Sequence, residues 1–536
     1  MEILIPKNAG TYPNKKHWQF CVGSGHALLA LRTDYTRQLK KIHDELGIRY
    51  VRFHGIFHDD MSTMNTLKVM LPFPGTEEFR ETNFRACGVA YDNVLSVGMK
   101  PFVELSFMPR ELAEDPNQDG FLYYRPNASM PKDIDAWKEY LKSFIRFLEH
   151  RYGAEEVRTW YFEVWNEPDL SSTFFSGGQE GYFRLYKASA EAIKEVDPEL
   201  RVGGPATSGS KWVKKFRELC EEKKVPLDFL TTHQYAGDPI AGVEDSGSPE
   251  NDGEEGTDKS AFTPEKLAVI REKLAAVEDK TFLNGMRILL EDKSETTEIP
   301  ADIFVKNARL VREQSKGYPL FYTEWGSNAI FSAYTNDTRK TAAYIMKAAL
   351  EVADFVDGSS VWCFSDLFEE WHPFAEPFHG GFGLLNQDGI PKPAFYAMKM
   401  LAECGNRRLD LGEEATRGEI GYAAFQSESG MQILLFRQKM KNDSLAPKEK
   451  VKLRVEVDER PGTVTASFIN EEQGNPLRVW QEEYGSRNDL NREEIADIIT
   501  WSEVLPMPLE YSFQEGILQT EVQLGVNDIC CIRIEA

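Results

Sequence analysis

Residues Trp160-Tyr-Phe-Glu-Val-Trp-Asn-Glu-Pro168 pass through five apolar or aromatic positions and close on Asn-Glu-Pro. The stretch reads as a buried β-strand that delivers Asn166 and Glu167 to its carboxyl end. Pro168 lacks an N–H and stops the ladder. Side chains alternate along a strand, so Glu163, Trp165 and Glu167 are expected on one face. Pro319-Leu-Phe-Tyr-Thr-Glu-Trp-Gly326 has the same design and offers Glu324, with Tyr322 on the same expected face.

Working outward, strand and helix signals alternate. Expected strands are 17–22 (ending in the turn Gly23-Ser-Gly25), 48–54, 100–107, 160–168, 201–204, 227–233, 319–325 and 358–364. Helical periodicity separates them at 34–46, 80–97, 134–151, 179–195, 210–223, 264–277 with 300–315, 338–354 and 391–403. Eight such units over residues 13–404 predict a (β/α)8 TIM barrel, a fold that places chemistry at the carboxyl ends of its strands. Residues 236–263 are too polar to pack and are expected to form a mobile loop. Beyond Gly405 the pattern changes to short alternating strands at 417–425, 430–437, 450–457, 463–470, 507–513, 516–523 and 527–534. Residues 405–536 are therefore expected to form a β-sandwich domain, with the N-terminal segment 1–12 available to join it as a further strand.

The 536 residues carry 62 basic and 86 acidic side chains, a net charge of −24, which argues against nucleic acid or an anionic membrane as partner. Aromatic residues make up 12% of the chain, enough for a core and for rings that pack on sugar faces. The seven cysteines lack C-x-x-C spacing, and no basic segment with an apolar core opens the chain. A reduced, cytoplasmic protein is the expectation. The acidic surface is compatible with a homo-oligomer.

Strands four and seven of an eight-stranded barrel stand nearly opposite, so Glu167 and Glu324 face each other across its mouth. Paired carboxylates serve glycosidic-bond hydrolysis, one as proton donor and one as stabiliser or nucleophile. Two of them close together resist ionising together, so one keeps its proton near neutral pH. His54 and His58, four apart on a strand-to-loop segment with no evident third ligand, are not expected to hold a metal. Arg52 and Glu163 could form a buried ion pair inside the barrel.

Trp165-Asn-Glu-Pro168 and Thr323-Glu-Trp325 resemble the two catalytic strands of clan A retaining glycosidases. Arg52-Phe-His-Gly-Ile-Phe-His-Asp-Asp-Met61 narrows the resemblance to glycoside hydrolase family 39, the β-xylosidases. Cys21-Val-Gly-Ser-Gly25, Glu104-Leu-Ser-Phe-Met-Pro109, Thr232-His-Gln-Tyr235 and Trp362-Cys-Phe-Ser-Asp-Leu-Phe-Glu-Glu370 follow in the matching order. The resemblance implies a cofactor-free retaining exo-glycosidase acting on xylo-oligosaccharides, with another glycone as the alternative. A sugar-binding barrel without turnover is the contrasting class. The resemblance further implies Glu167 as acid/base, Glu324 as nucleophile and Asn166 on the sugar 2-hydroxyl. His233 and Tyr235 would orient Glu324 or touch the sugar, and Arg52 would keep Glu324 ionised. His54, Glu369 and Glu370 would read sugar hydroxyls, and Trp362 with Phe364 would form an apolar floor. Asp169 stands where these xylosidases often have Asn.

Overall fold

A computed structural model describes residues 1–171, 173–238, 264–290, 299–427, 430–441 and 446–535. Eight parallel strands close into a barrel: β1 (Cys21–His26), β2 (Tyr50–His54), β3 (Lys100–Glu104), β4 (Tyr161–Glu163), β5 (Arg201–Thr207), β6 (Phe229–Tyr235), β7 (Leu320–Gly326) and β8 (Gly358–Val361). The expected loop at 236–263 lies outside the described residues beyond Asp238.

Each strand is followed by a helix that seals the barrel's outer face. Ile134–Tyr152 illustrates why such segments are helical. Asp133 caps it by accepting from the N–H groups of Asp135 and Ala136, and Gly153 ends it at φ 85°. Trp137, Tyr140, Leu141, Phe144, Ile145 and Leu148 recur at helical spacing and are buried against the strands.

The barrel's bore is filled in layers set by the two-residue period. At the amino-terminal end Phe20, Phe102, Phe229 and Phe321 form an apolar plug, flanked by Tyr50 and Tyr161. Phe20 stacks on Phe321 at 4.5 Å. Glycines on β5 and β8 leave room for these rings: a Cβ on Gly203 would lie 2.4 Å from the Phe229 ring, and one on Gly358 2.5 Å from Phe20. Two residues beyond the plug stand Arg52, Glu104, Glu163 and Thr323, the start of a buried polar layer.

Several expectations are corrected. His17–Gln19 is a 3₁₀ turn, and β1 begins at Cys21 and runs through Gly23-Ser-Gly25 in place of the expected turn. Gly23 and Gly25 are needed for close approach, since Cβ atoms there would meet the Trp362 ring and the Phe368 carbonyl, each at 2.3 Å. Regular β4 ends at Glu163. Trp165 (φ 71°) and Glu167 (φ 41°) then turn the chain, so Trp165 does not share a face with Glu163. Its ring packs on Phe107 and Phe175, and its indole N–H donates to the Phe174 carbonyl. On β7 the register skips Thr323, pairing Thr232 with Tyr322 and His233 with Glu324. This bulge separates Tyr322 from Glu324. Tyr322 and Trp325 both pack outward on Phe304 of helix Ile303–Ser315.

The C-terminal strands form two sheets. Four strands run in the order Glu2–Ile5, Glu449–Glu456, Ile517–Leu524 and Tyr511–Gln514. The other sheet has seven strands, with Ile529–Glu535 near its centre and Thr11–Pro13 at one edge. Ile3, Ile5, Leu453 and Val455 meet Ile433, Leu435, Cys530 and Ile532 in one apolar cluster, which makes the pair a β-sandwich. The expected strand 507–513 is split: Met507–Pro508 joins the larger sheet and Tyr511–Gln514 the smaller. Helices Pro476–Tyr484 and Arg492–Trp501 were not anticipated, although Asn475-Pro476 and the capping box Asn491…Glu494 announce them. They pack on Phe378 and Ile390, in the segment that follows β8.

Candidate active site

Arg52 organises the carboxyl end of the bore. Its guanidinium is fully buried and donates from Nε to Glu163 at 2.6 Å. One Nη donates to Asn166 Oδ1 at 2.8 Å and lies 2.9 Å from Glu104. The other stands 3.7 Å from Glu324. Burial opposes the charge of Arg52, but Glu163, Glu104 and Glu324 outweigh it and raise its pKa. Glu163 also accepts from Thr323 at 2.8 Å, tying β4 to β7. Arg52–Glu163 is thus a buried ion pair as well as the framework that aims Asn166. The Asn166 Nδ2 is buried and has no hydrogen-bond partner.

Glu167 and Glu324 come together across the mouth. Oxygens of the two carboxylates and a ring nitrogen of His233 all lie within 4.8 Å of one another. His233 Nδ1 is 2.9 Å from Glu167 and 3.5 Å from Glu324, so it sits nearer Glu167 than Glu324, the residue it was expected to orient. Burial pushes His233 down to about 4, outweighing the attraction of Glu324, and it is neutral at ordinary pH. The Tyr235 hydroxyl donates to Glu324. A Cβ on Gly326 would press on the Tyr235 ring at 3.1 Å.

The two carboxyls have different surroundings. Burial pushes Glu167 up to about 8, with the Asp169 charge adding to the effect and His54, Arg52 and Lys211 opposing it. Glu324 is also raised, by burial and then by Glu167, while His233, His54 and Arg52 resist. The guanidinium and the tyrosine hydroxyl beside Glu324 favour its anion, and Glu167 keeps the proton. A carboxylate whose neighbours favour the anion and a neutral acid within 4.8 Å of it can attack and protonate the two sides of one bond.

A second polar group lies beside this pair. His54 Nδ1 is 2.6 Å from Glu104, and its Nε2 is 3.4 Å from Glu370. Burial disfavours the imidazolium, but Glu104 and Glu370 raise His54 to about 9. Glu370 is pushed up to about 8 by burial and the neighbouring carboxylates. Its Oε1 is buried and makes no hydrogen bond. Trp362 lies 4.8 Å from the His54 ring and closes the apolar side with Phe368, Phe331 and Phe374. Leu283 and Met286 of helix Phe282–Leu289 join that cluster, so the segment between β6 and β7 contributes to the wall.

Two expected residues are not brought to the site. Glu369 turns the other way from Glu370, at φ 52°, and pairs with Arg32. Phe364 is buried on the outer side of the barrel, edge-on to Tyr35 of helix Thr33–Leu46, and forms no floor. His58 is held by Asp60 and the Tyr124 carbonyl, apart from His54. Among the described residues, the one group of three His, Cys, Asp or Glu side chains close enough to share a metal ion is Glu167, His233 and Glu324 themselves. Glu104, not among the expected site residues, stands between Arg52 and His54. The signal was present, because Glu104 follows Phe102 at the same two-residue spacing that links Tyr161 to Glu163.

The model of the family described as Glycosyl hydrolases family 39 matches residues 1–257 and 283–507. A beta-xylosidase of Caldicellulosiruptor saccharolyticus is 36% identical over 507 residues, which cover 94% of this chain and 92% of that protein. A beta-xylosidase of Geobacillus stearothermophilus is 31% identical over 541 residues, covering 99% and 95%. Among solved structures, a monomeric beta-xylosidase from Caulobacter crescentus CB15 superposes with a TM-score of 0.77 at 29% identity, over 100% of this chain and 99% of that one.

Proposed function

The chain belongs to glycosyl hydrolase family 39, and from that premise we propose that it is a retaining exo-β-xylosidase releasing xylose from the non-reducing end of short xylo-oligosaccharides. The observation that carries the retaining reading is the approach of Glu167 and Glu324 to within 4.8 Å. An inverting pair would stand roughly 6.5–9.5 Å apart, to leave room for water.

In the first step Glu324 attacks the anomeric carbon. The bond to the leaving oxygen breaks, and that oxygen takes the proton of Glu167. In the second step Glu167, now a carboxylate, takes a proton from water. The water oxygen bonds to the anomeric carbon, and Glu324 leaves. Asn166 offers its unpartnered Nδ2 to the 2-hydroxyl, held in aim by Arg52. His54 and Glu370 read further hydroxyls, and Trp362 supplies the apolar surface. Tyr235 and His233 orient the two carboxyls. Glu369 and Phe364 have no part in this reading.

The xylose preference draws on the two beta-xylosidase relatives, and the seven free, buried cysteines support a cytoplasmic setting. The test is Glu324→Ala assayed with azide on a panel of aryl glycosides. Turnover is expected to vanish and to return in part with azide as the glycosyl azide of inverted configuration. The wild type should prefer the β-xyloside over the arabinoside, galactoside, glucoside and uronide. An azide adduct of retained configuration would sink the nucleophile assignment, and a different preferred glycone would replace xylose.

A further inference from the structure

Asp169 stands two residues beyond Glu167, its side chain only 3% exposed. It accepts from both the backbone N–H (2.9 Å) and the hydroxyl of Ser208, the residue that follows β5. On the other side of Pro168, the Glu167 N–H donates to the Ala206 carbonyl of β5 at 2.9 Å. The turn that presents Glu167 is therefore fastened to the end of β5 at two points, one of which carries a buried negative charge.

We propose that Asp169 is a positioning residue for the acid/base: its buried carboxylate, two residues past Glu167, clamps the turn that presents Glu167 to the end of β5. This rests on the assignment of Glu167 as the acid. The groups that bear on Glu167 come from every neighbouring element. Arg52 and His54 of β2 and Lys211 beyond β5 favour its anion. Glu324 of β7, Glu370 beyond β8 and Asp238 beyond β6 are carboxyls near it, and His233 of β6 is neutral. Asp238 is itself pushed up to about 7 by burial, and it accepts from the Tyr235 N–H at 2.5 Å. After burial, the Asp169 carboxylate does most to hold the proton on Glu167. Lys211 Nζ, 3.6 Å from Asp169, partly cancels it.

The experiment is the pH dependence of kcat/KM on a β-xyloside with a poor leaving group, for which protonation by Glu167 limits the rate. Activity falls on the alkaline side as Glu167 loses its proton. Asp169→Asn removes the charge and should move that limb down by roughly one pH unit. Lys211→Gln removes the opposing charge and should move it up. Ser208→Ala loosens the clamp without changing charge; it should lower kcat and move the limb by less than about 0.3 unit. A limb unmoved in Asp169→Asn, or moved the same way in the Lys211 variant, overturns the proposal. Should Asp169→Asn fail to fold, Ser208→Ala decides the matter: an unchanged kcat in that variant overturns the clamp. An alkaline limb retained in Glu167→Gln would instead remove Glu167 as the acid, a distinguishable failure.

Discussion

At one end of the barrel Phe20, Phe102, Phe229 and Phe321, flanked by Tyr50 and Tyr161, close the bore with rings; two residues beyond Tyr50, Phe102, Tyr161 and Phe321 it is filled by Arg52, Glu104, Glu163 and Thr323. Both layers are buried and both are close-packed, but they have different physical purposes. The rings gain by leaving water and by dispersion contacts, so the plug stabilises the fold. The charged layer gains little net stability, because desolvating Arg52 and its three carboxylate neighbours costs about what their attraction returns. What it provides is fixed direction. Each charge is held by partners on another strand, and Asn166 and Glu324 inherit that order.

The comparison can be pressed from the mouth downward. Removing Glu167, the proposed acid at the rim, should give the largest change. Glu167→Ala is expected to lower kcat/KM by about 10²–10⁴-fold for glycosides with poor leaving groups and far less for activated aryl glycosides. The slope of rate against leaving-group pKa measures it. In the charged layer, Arg52→Met leaves Glu104, Glu163 and Glu324 uncompensated, and should cost roughly 3–5 kcal/mol of stability together with most of the activity. Phe321→Ala in the plug should cost a similar amount, about 3–5 kcal/mol, yet keep kcat near the wild-type value in whatever fraction remains folded. Urea melts read against active-site-titrated kcat would break the contrast if both variants lost turnover equally.

A smaller effect concerns pH. His54 is raised from its ordinary value of 6.5 to about 9, so its ion pairs stabilise the fold fully below pH 6.5. That contribution is lost as pH rises through 9. Glu167 and Glu370, raised to about 8, act with the same sign. The two carboxyls lower stability as pH rises from 4.5 to 8 and His54 as it rises from 6.5 to 9, so the urea midpoint should decline from pH 4.5 to 9, and His54→Gln should flatten the part above pH 6.5. The smallest expected effect is that of a chelator. Glu167, His233 and Glu324 are proposed to act without a metal, so EDTA should leave kcat unchanged; loss of activity restored by a divalent cation would redraw the site.

The parts legible in advance were those governed by local pattern. Eight alternations of period 2 and period 3.6, each punctuated by Gly or Pro, predict the barrel. A carboxylate at the last position of a strand pattern predicts at which end of the bore Glu167 and Glu324 meet. The same counting failed wherever the ladder became irregular. Trp165 and Glu167 take positive φ values just past β4, and the bulge at Thr323 inserts one residue before Glu324. The first irregularity sends Trp165, and the second Tyr322, to the face opposite the one alternation assigns, while Glu167 and Glu324 still reach the mouth.

What the sequence by itself determined, then, was the barrel, the C-terminal strands and the pairing of Glu167 with Glu324, because these follow from periodicity and from strand order. Only the tertiary structure decided which neighbours serve that pair. Glu369 and Glu370 are chemically identical and adjacent, and one meets Arg32 while the other meets His54. Phe364 is as aromatic as Trp362, yet one packs against a helix and the other against the pocket. These outcomes depend on long-range contacts between loops, where one backbone rotation turns a side chain from solvent or core into the site.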